Sequence, residues 1–309
     1  MLTDIVVNFS HAAVVVFGCL TVLWMISLAV KDASLIDIFW GFGFLLVASV
    51  CLYIANPITP FLWLLGALPI IWGLRLTLYL GKRNLGHGED VRYIAMRKRA
   101  EKKGMTEMGW RLRSLLTIYF GQGLLIMIVS APIWVSMGAG WIMTDFISVF
   151  DVAATEGKVS AEGLGHIQDS VKEPVMIGLL SIFGALLWLI GFLFEAIGDA
   201  QLSKFLKENK DYDGPYEDKP VLDTGLWKYT RHPNYFGNSL MWWGIWLIAC
   251  QAPFGWLTIF APIIMTLLLV KVSGKDLLER QLKKRPAYAA YMQRTSGFIP
   301  RRPKKLPKK

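Results

Sequence analysis

Four charged side chains stand inside or at the edge of long apolar runs: Asp37, Arg75, Glu195 and Asp199. A charge at membrane depth is costly to insert, so residues of this kind mark pairing or function. Asp37 lies in Ser34-Leu35-Ile36-Asp37-Ile38-Phe39-Trp40-Gly41, with Trp40 three residues on and on the same helix face. Such an acid can favour a helix start through the dipole; kept protonated by burial, it can instead donate a hydrogen bond to a carbonyl group. Arg75 has Trp72 at i−3 and Tyr79 at i+4, a cationic and aromatic face whose arginine can also snorkel to the interface. Glu195 and Asp199 are an i, i+4 pair that repel each other and oppose the helix dipole, so they require amide or cationic partners. Candidates follow in Thr224-Gly225-Leu226-Trp227-Lys228-Tyr229-Thr230-Arg231-His232-Pro233-Asn234-Tyr235-Phe236-Gly237-Asn238. Pro233 suits a first helical turn, and Asn234 and Asn238 share a face that Trp242 continues. Arg231 and His232 precede that helix N-terminus, whose free N–H groups suit a phosphate.

The elements that must hold these residues are set by composition. Of 309 residues, 54% are hydrophobic and 18% charged, where soluble domains sit near about 45–50% and about 25%. With a mean hydropathy of +0.43, this is a membrane protein; disorder and a disulfide-rich scaffold are excluded. The three cysteines, Cys19, Cys51 and Cys250, lie in apolar runs and read as small buried hydrophobes. Apolar runs at 12–30, 38–56, 60–81, 114–141, 175–194, 235–252 and 254–270 predict an all-α protein of seven transmembrane helices. The segment before the first run lacks a basic stretch and carries Asp4, so that run reads as a span and not a cleaved leader. The expected organisation is an N-terminal three-helix, substrate-side half (1–113) and a C-terminal four-helix half (114–309).

Lysine and arginine orient the spans. They number ten in 82–113, six in 199–231 and thirteen in 271–309, against two in the acidic stretch 145–173, so the basic segments are cytoplasmic and the N-terminus is outside. The formal charge of +10 is mostly this topology signal. The Lys/Arg-rich tail lacks interleaved aromatics and reads as attracted to lipid headgroups and not to nucleic acid.

Arg231-His232-Pro233-Asn234-Tyr235-Phe236-Gly237-Asn238, followed by Tyr288, Tyr291 and Gly297-Phe298-Ile299-Pro300, resembles the C-terminal domain of the steroid 5α-reductases and related bacterial membrane proteins. The stretch 192–206, Asp37-Ile38-Phe39-Trp40-Gly41 and Gly88-Glu89-Asp90-Val91-Arg92-Tyr93 resemble other parts of the bacterial branch. The resemblance implies an NADPH-dependent reductase that reduces the carbon–carbon double bond of an enone lipid, most simply a 3-oxo-Δ4 steroid taken from the bilayer. It implies a multi-pass protein, of the inner membrane if the source is bacterial, and we read it as a monomer. Carried over by motif, Arg92, Tyr93, Arg231, His232 and Tyr235 hold phosphates and ribose, Glu195, Asp199, Asn234 and Asn238 fix the nicotinamide and the diphosphate-linked sugars, and Arg75, Glu89, Asp90 and Tyr288 complete the cofactor set. No Gly-x-Gly-x-x-Gly follows a strand, so a dinucleotide would need donors other than a Rossmann crevice. The surplus of Lys and Arg over 92–103 and at Arg231 suits the additional phosphate of NADPH over NADH.

Hydride delivery to the β-carbon of an enone builds negative charge on the carbonyl oxygen, which needs an acid or hydrogen-bond donor. In the animal steroid reductases that role is associated with a glutamate of the second helix and a tyrosine of the third. Here the expected donor is protonated Asp37, with Trp40 lining the pocket and Tyr79 the tyrosine candidate; Glu195 is a further possible proton donor. Related Arg-His-Pro helix starts occur in sterol double-bond reductases and isoprenylcysteine methyltransferases. A methyltransferase using S-adenosylmethionine and a C-terminal acid such as Glu279 is therefore the second reading; a transporter is a third, against which stands the lack of an inverted repeat. His11, His87 and His166 lack metal-ligand spacing, so no metal is expected. The polar segment 146–171 reads as an outer loop or short surface helix.

Overall fold

The computed structural model of the chain describes residues 1–56, 59–139, 178–272 and 274–305. Among them all regular structure is helical, with one isolated bridge between Thr230 and Ser296. Six helical stretches are long and apolar enough to cross a membrane: Leu2–Val30, Leu35–Ala55, Pro60–Asn84, Glu107–Val129, Leu179–Glu208 and Gly255–Leu282. The run expected over 235–252 is helical over Pro233–Ala249, 17 residues. The run expected over 114–141 is divided: Ser130 separates Glu107–Val129 from Ala131–Ala139, its backbone bending where the side chain bonds back to the Met127 carbonyl. The acidic stretch 145–173, the expected outer loop 146–171 and His166 lie outside the described residues.

The chain forms two compact units, the first of 1–181 with 249–258 and the second of 182–248 with 259–309. In the first, α1 (Leu2–Val30), α2 (Leu35–Ala55) and α3 (Pro60–Asn84) are followed by a short polar helix, α4 (Val91–Lys102), then α5 (Glu107–Val129) and α6 (Ala131–Ala139). Two glycines let α2 and α3 cross closely. A Cβ on Gly41 would stand 2.5 Å from the Gly73 carbonyl oxygen, and one on Gly73 would stand 2.4 Å from that of Gly41. Pro60 opens α3 in the first turn, where its missing N–H is not needed. Asp90 caps α4 by accepting the Arg92 N–H, and Thr106 caps α5 by accepting that of Gly109. A π turn over Leu115–Phe120 lies within α5.

The second unit is built on α7 (Leu179–Glu208) and α8 (Pro233–Ala249). Gly184, Gly191 and Gly198 recur at seven-residue spacing on α7, and across from the first two lie Gly244 and Gly237 of α8. A Cβ at Gly191 would meet the Gly237 carbonyl oxygen at 2.5 Å, and one at Gly184 would meet that of Gly244 at the same distance. This small-residue seam brings the backbones together, which is how helices associate where no hydrophobic effect drives them. It also sets the polar ends of both helices side by side. The unit is completed by α9 (Phe260–Leu267) with a π turn at Leu268–Val272, α10 (Lys275–Leu282) and α11 (Pro286–Arg294).

Candidate functional site

In the first unit the polar residues gather where α4 docks on α2 and α5. Asp37, in the first turn of α2, accepts from Arg92 Nη2 at 2.6 Å and from the Tyr93 hydroxyl at 2.7 Å. Gln122 of α5 donates its Nε2 to the Tyr93 oxygen at 3.3 Å and accepts from Trp40 Nε1 through its carbonyl. The chain of donors therefore runs from Trp40 through Gln122 and Tyr93 to Asp37. Tyr93 is buried, and burial, then the neighbouring Asp37, pushes its phenol above the ordinary range, so it is a neutral hydrogen-bond donor at physiological pH. Asp90 is held below the usual carboxylate range because the hydrogen bonds and charge of Arg92 outweigh its partial burial. Glu89 fixes the approach of α4 to the α1–α2 turn, accepting from the Ala33 N–H at 2.9 Å and pairing with Arg97.

The sequence-predicted residues of this half therefore separate. Asp37, Trp40, Arg92 and Tyr93 belong to one hydrogen-bonded cluster, with Glu89 and Asp90 anchoring its helix. Arg75 and Tyr79 form a cation–π pair, with the Arg75 guanidinium 5.1 Å from the ring centroid and that of Arg83 at 5.7 Å. A cavity of about 680 Å³ lies on the same unit, lined almost wholly by apolar side chains of α1 and α2, among them Val15, Val22, Leu35, Ile38 and Phe42. Leu35 and Ile38 flank Asp37 in the first turn of α2.

In the second unit, both acids find amides. Asn238 Nδ2 donates to Glu195 Oε2 and Asn234 Nδ2 to Asp199 Oδ1, each at 3.1 Å. Both carboxylates are buried, so these bonds answer the repulsion that their i, i+4 spacing imposes. A carboxylate only accepts, which fixes the orientation of the Asn238 amide. Its carbonyl oxygen is then left buried with no hydrogen-bond partner among the described residues.

Arg231 does not point its charge at a free helix end. Its Nε and Nη2 take both oxygens of Glu279 at 2.8 and 3.0 Å, and its Nη1 bonds the carbonyls of Met292 and Thr295. A guanidinium has five N–H donors, so this set leaves at most one for a phosphate. His232 Nε2 lies 2.9 Å from Glu279 Oε1 and its ring stacks on Tyr235 at 5.2 Å with an interplanar angle of 3°. Burial, against the pull of Glu279, keeps the imidazole below its ordinary pKa and hence neutral at neutral pH. Tyr288 and Tyr291 pack edge to face and are buried, Tyr291 donating to the Trp227 carbonyl.

Sequence reasoning assigned Arg231 from its place before α8; its partner stands 48 positions away and carries no local signal. Gln122 went unnoticed, although an amide inside an apolar run is itself a signal. No group of three or more metal-ligating side chains exists among the described residues.

Comparison with known proteins adds three findings. No solved structure matches the chain. The uncharacterized protein C594.04c of Schizosaccharomyces pombe is 24% identical over 292 residues, which span 91% of this chain and 76% of that one. The family model described as "Protein of unknown function (DUF1295)" matches residues 23–161 and 141–295. Those two matches take in both clusters, Asp37 to Gln122 and Glu195 to Glu279, and the chain accordingly belongs to the DUF1295 family.

Proposed function

We propose that this protein is an NADPH-dependent reductase of the carbon–carbon double bond of an enone lipid, of the steroid 5α-reductase type, with a 3-oxo-Δ4 steroid as the first substrate to try. It is a seven-span protein in this reading, Pro233–Ala249 being the additional span, with its N-terminus outside and its C-terminus cytoplasmic. The observation that carries the reading is the 2.7 Å bond between Tyr93 and Asp37. It supplies, in one pair, the second-helix acid and the tyrosine that the resemblance asks for, with the tyrosine drawn from α4 and not from α3 as expected.

The roles follow from the geometry. Tyr93, kept neutral, turns its O–H from Asp37 to the substrate carbonyl as negative charge builds there. Asp37 and Gln122 orient the phenol, and Arg92 holds the carboxylate in place meanwhile. The apolar cavity beside Leu35 and Ile38 suits the body of a lipid-soluble ketone. NADPH, when bound, supplies the hydride. The second unit fits such a group in one respect: a carboxamide N–H would satisfy the buried Asn238 carbonyl oxygen, with Glu195 beside it. Asp199, Asn234 and Tyr235 would continue that surface, whereas Arg231 and His232 support it from behind through Glu279. In the methyltransferase reading, Glu279 would have to give up Arg231 and His232 to act as the C-terminal acid.

The test is purified protein in detergent with NADPH, NADH and S-adenosylmethionine, each followed by thermal midpoint, and NADPH oxidation with a 3-oxo-Δ4 steroid. A ligand at 100 times its Kd stabilises by about 2.7 kcal/mol, so binding is readable. Stabilisation by NADPH with steroid-dependent oxidation is the expected result. Stabilisation by S-adenosylmethionine alone would overturn the proposal.

A further inference from the structure

The cations of α4 do not all serve Asp37. Arg99 and Lys103, with Met96 and Ala100, recur at i, i+3, i+4 and i+7 along one stripe of that helix. Together with Lys102, and with Trp110 and Arg113 of α5, they line a second cavity of about 470 Å³. Its lining holds four cations and no acid. None of the four is ion-paired among the described residues, whereas the nearby Arg97 and Arg111 are paired, with Glu89 and Glu107. Three of the cations, Arg99, Lys102 and Lys103, sit in the last turn or at the C-cap of α4, where the dipole favours them. The dipole does not account for Arg113, which reaches the cavity from another helix. The cavity wall is mostly the aliphatic stems of these side chains and all four residues are exposed, so four unpaired charges stand around one cavity and repel each other unless an anion joins them.

The surroundings say which kind of anion. Trp110 and Arg113 stand in the first turns of a helix apolar enough to cross a membrane, the level at which tryptophan and arginine meet headgroups. On that helix Met108, Leu112 and Leu116 are exposed at four-residue spacing, an apolar flank along which acyl chains can lie. We propose that this cavity binds a phosphate ester carrying a net negative charge, the headgroup of an anionic glycerophospholipid, at a site separate from the Asp37–Tyr93 cluster. A planar guanidinium from each helix, Arg99 and Arg113, grips the phosphate, and the two lysines supply diffuse charge. The inference does not depend on the reductase reading.

Full-length protein in a neutral detergent is titrated with dihexanoyl-phosphatidylglycerol, dihexanoyl-phosphatidylcholine and glycerol phosphate, reading the thermal midpoint. Phosphatidylglycerol is expected to raise it and phosphatidylcholine to leave it unchanged. R99Q/R113Q should weaken the anionic lipid about 25-fold, at roughly fivefold per lost cation. K98Q, an exposed charge outside the cavity, should not. If the double variant fails to fold, K103Q at its exposed position gives the same reading with a smaller loss. Glycerol phosphate binding as tightly as the lipid would assign the site to a soluble phosphate ester, within the same chemistry. Equal response to both lipids, wild-type affinity in the charge variants, or displacement of the lipid by NADPH would overturn it.

Discussion

Each unit has an arginine–carboxylate pair at the heart of its polar cluster, Arg92–Asp37 in the first and Arg231–Glu279 in the second, and the two pairs are used differently. In the first, Arg92 keeps 47% of its side chain exposed and meets Asp37 through a single nitrogen, while the other carboxylate oxygen serves a tyrosine. In the second, Arg231 and Glu279 are 10% and 8% exposed, joined through two nitrogens, and Arg231 also ties down two backbone carbonyls of the C-terminal segment. With its arginine half exposed, and Asp37 at 17%, the first pair is screened by solvent on one side and can let go of its partners, as chemistry on a bound ligand requires. A buried, saturated pair cannot, and its place is to hold other groups still. The same kind of ion pair thus suits, under the reductase proposal, a working site in one unit and a scaffold in the other.

Five experiments break or sharpen this contrast, from the largest effect down. Arg231→Ala should cost about 3–5 kcal/mol of stability, because it leaves Glu279 buried without its partner; chemical denaturation in mild detergent measures it. A loss below about 1 kcal/mol would mean the second pair is as loose as the first. Tyr93→Phe, under the reductase proposal, should lower kcat about 10²–10³-fold in the folded protein, beyond the loss of about 1–2 kcal/mol of stability that the missing bonds to Asp37 and Gln122 bring. Asp37→Asn should lower kcat by less, as a positioning residue does, and its loss of folding stability should stay within about 1 kcal/mol because Arg92 can turn to water. Gly191→Ala should destabilise the second unit by about 1–3 kcal/mol, its new methyl being driven against the Gly237 backbone. Smallest is the pH effect of His232. Burial lowers its pKa, so as pH falls the unfolded chain takes up the proton first; the stability it lends is full above about pH 6.5 and declines below. The difference in thermal midpoint between wild type and His232→Gln should therefore narrow from pH 7.5 to pH 5.5, and a widening would mean that Glu279 binds a charged imidazole.

Much of this was legible in the residues. The apolar runs mark most of the helices, and the acidic i, i+4 pair asks for partners in the segment 224–238, where Asn238 and Asn234 of the same spacing meet Glu195 and Asp199. Local spacing carries that information because each pair lies on one helix face. It does not carry Tyr93–Asp37 or Arg231–Glu279, whose members are 56 and 48 positions apart and meet only because α4 and α10 fold back. Arg231 was read as a phosphate ligand for this reason: charge and helix position are visible in a sequence, and a distant partner that uses up the donors is not. The division at Ser130 was hidden in the same way, since a serine inside an apolar run bends a helix only through the bond it makes to its own backbone.

The seven-residue glycine register of α7 also governs how this chain can change length. Glu195 and Asp199 reach their asparagines only while they stay in phase with Gly191 and Gly198. One inserted residue between Gly191 and Glu195 would turn everything beyond it by about 100° and carry both acids off the seam, whereas seven would restore the phase. The α7–α8 connection through 209–224 has no such register, apart from one short 3₁₀ turn at Tyr216–Asp218. Among descendants of this sequence, lengthening and shortening belong there, and the span before it can change its residues but not its count.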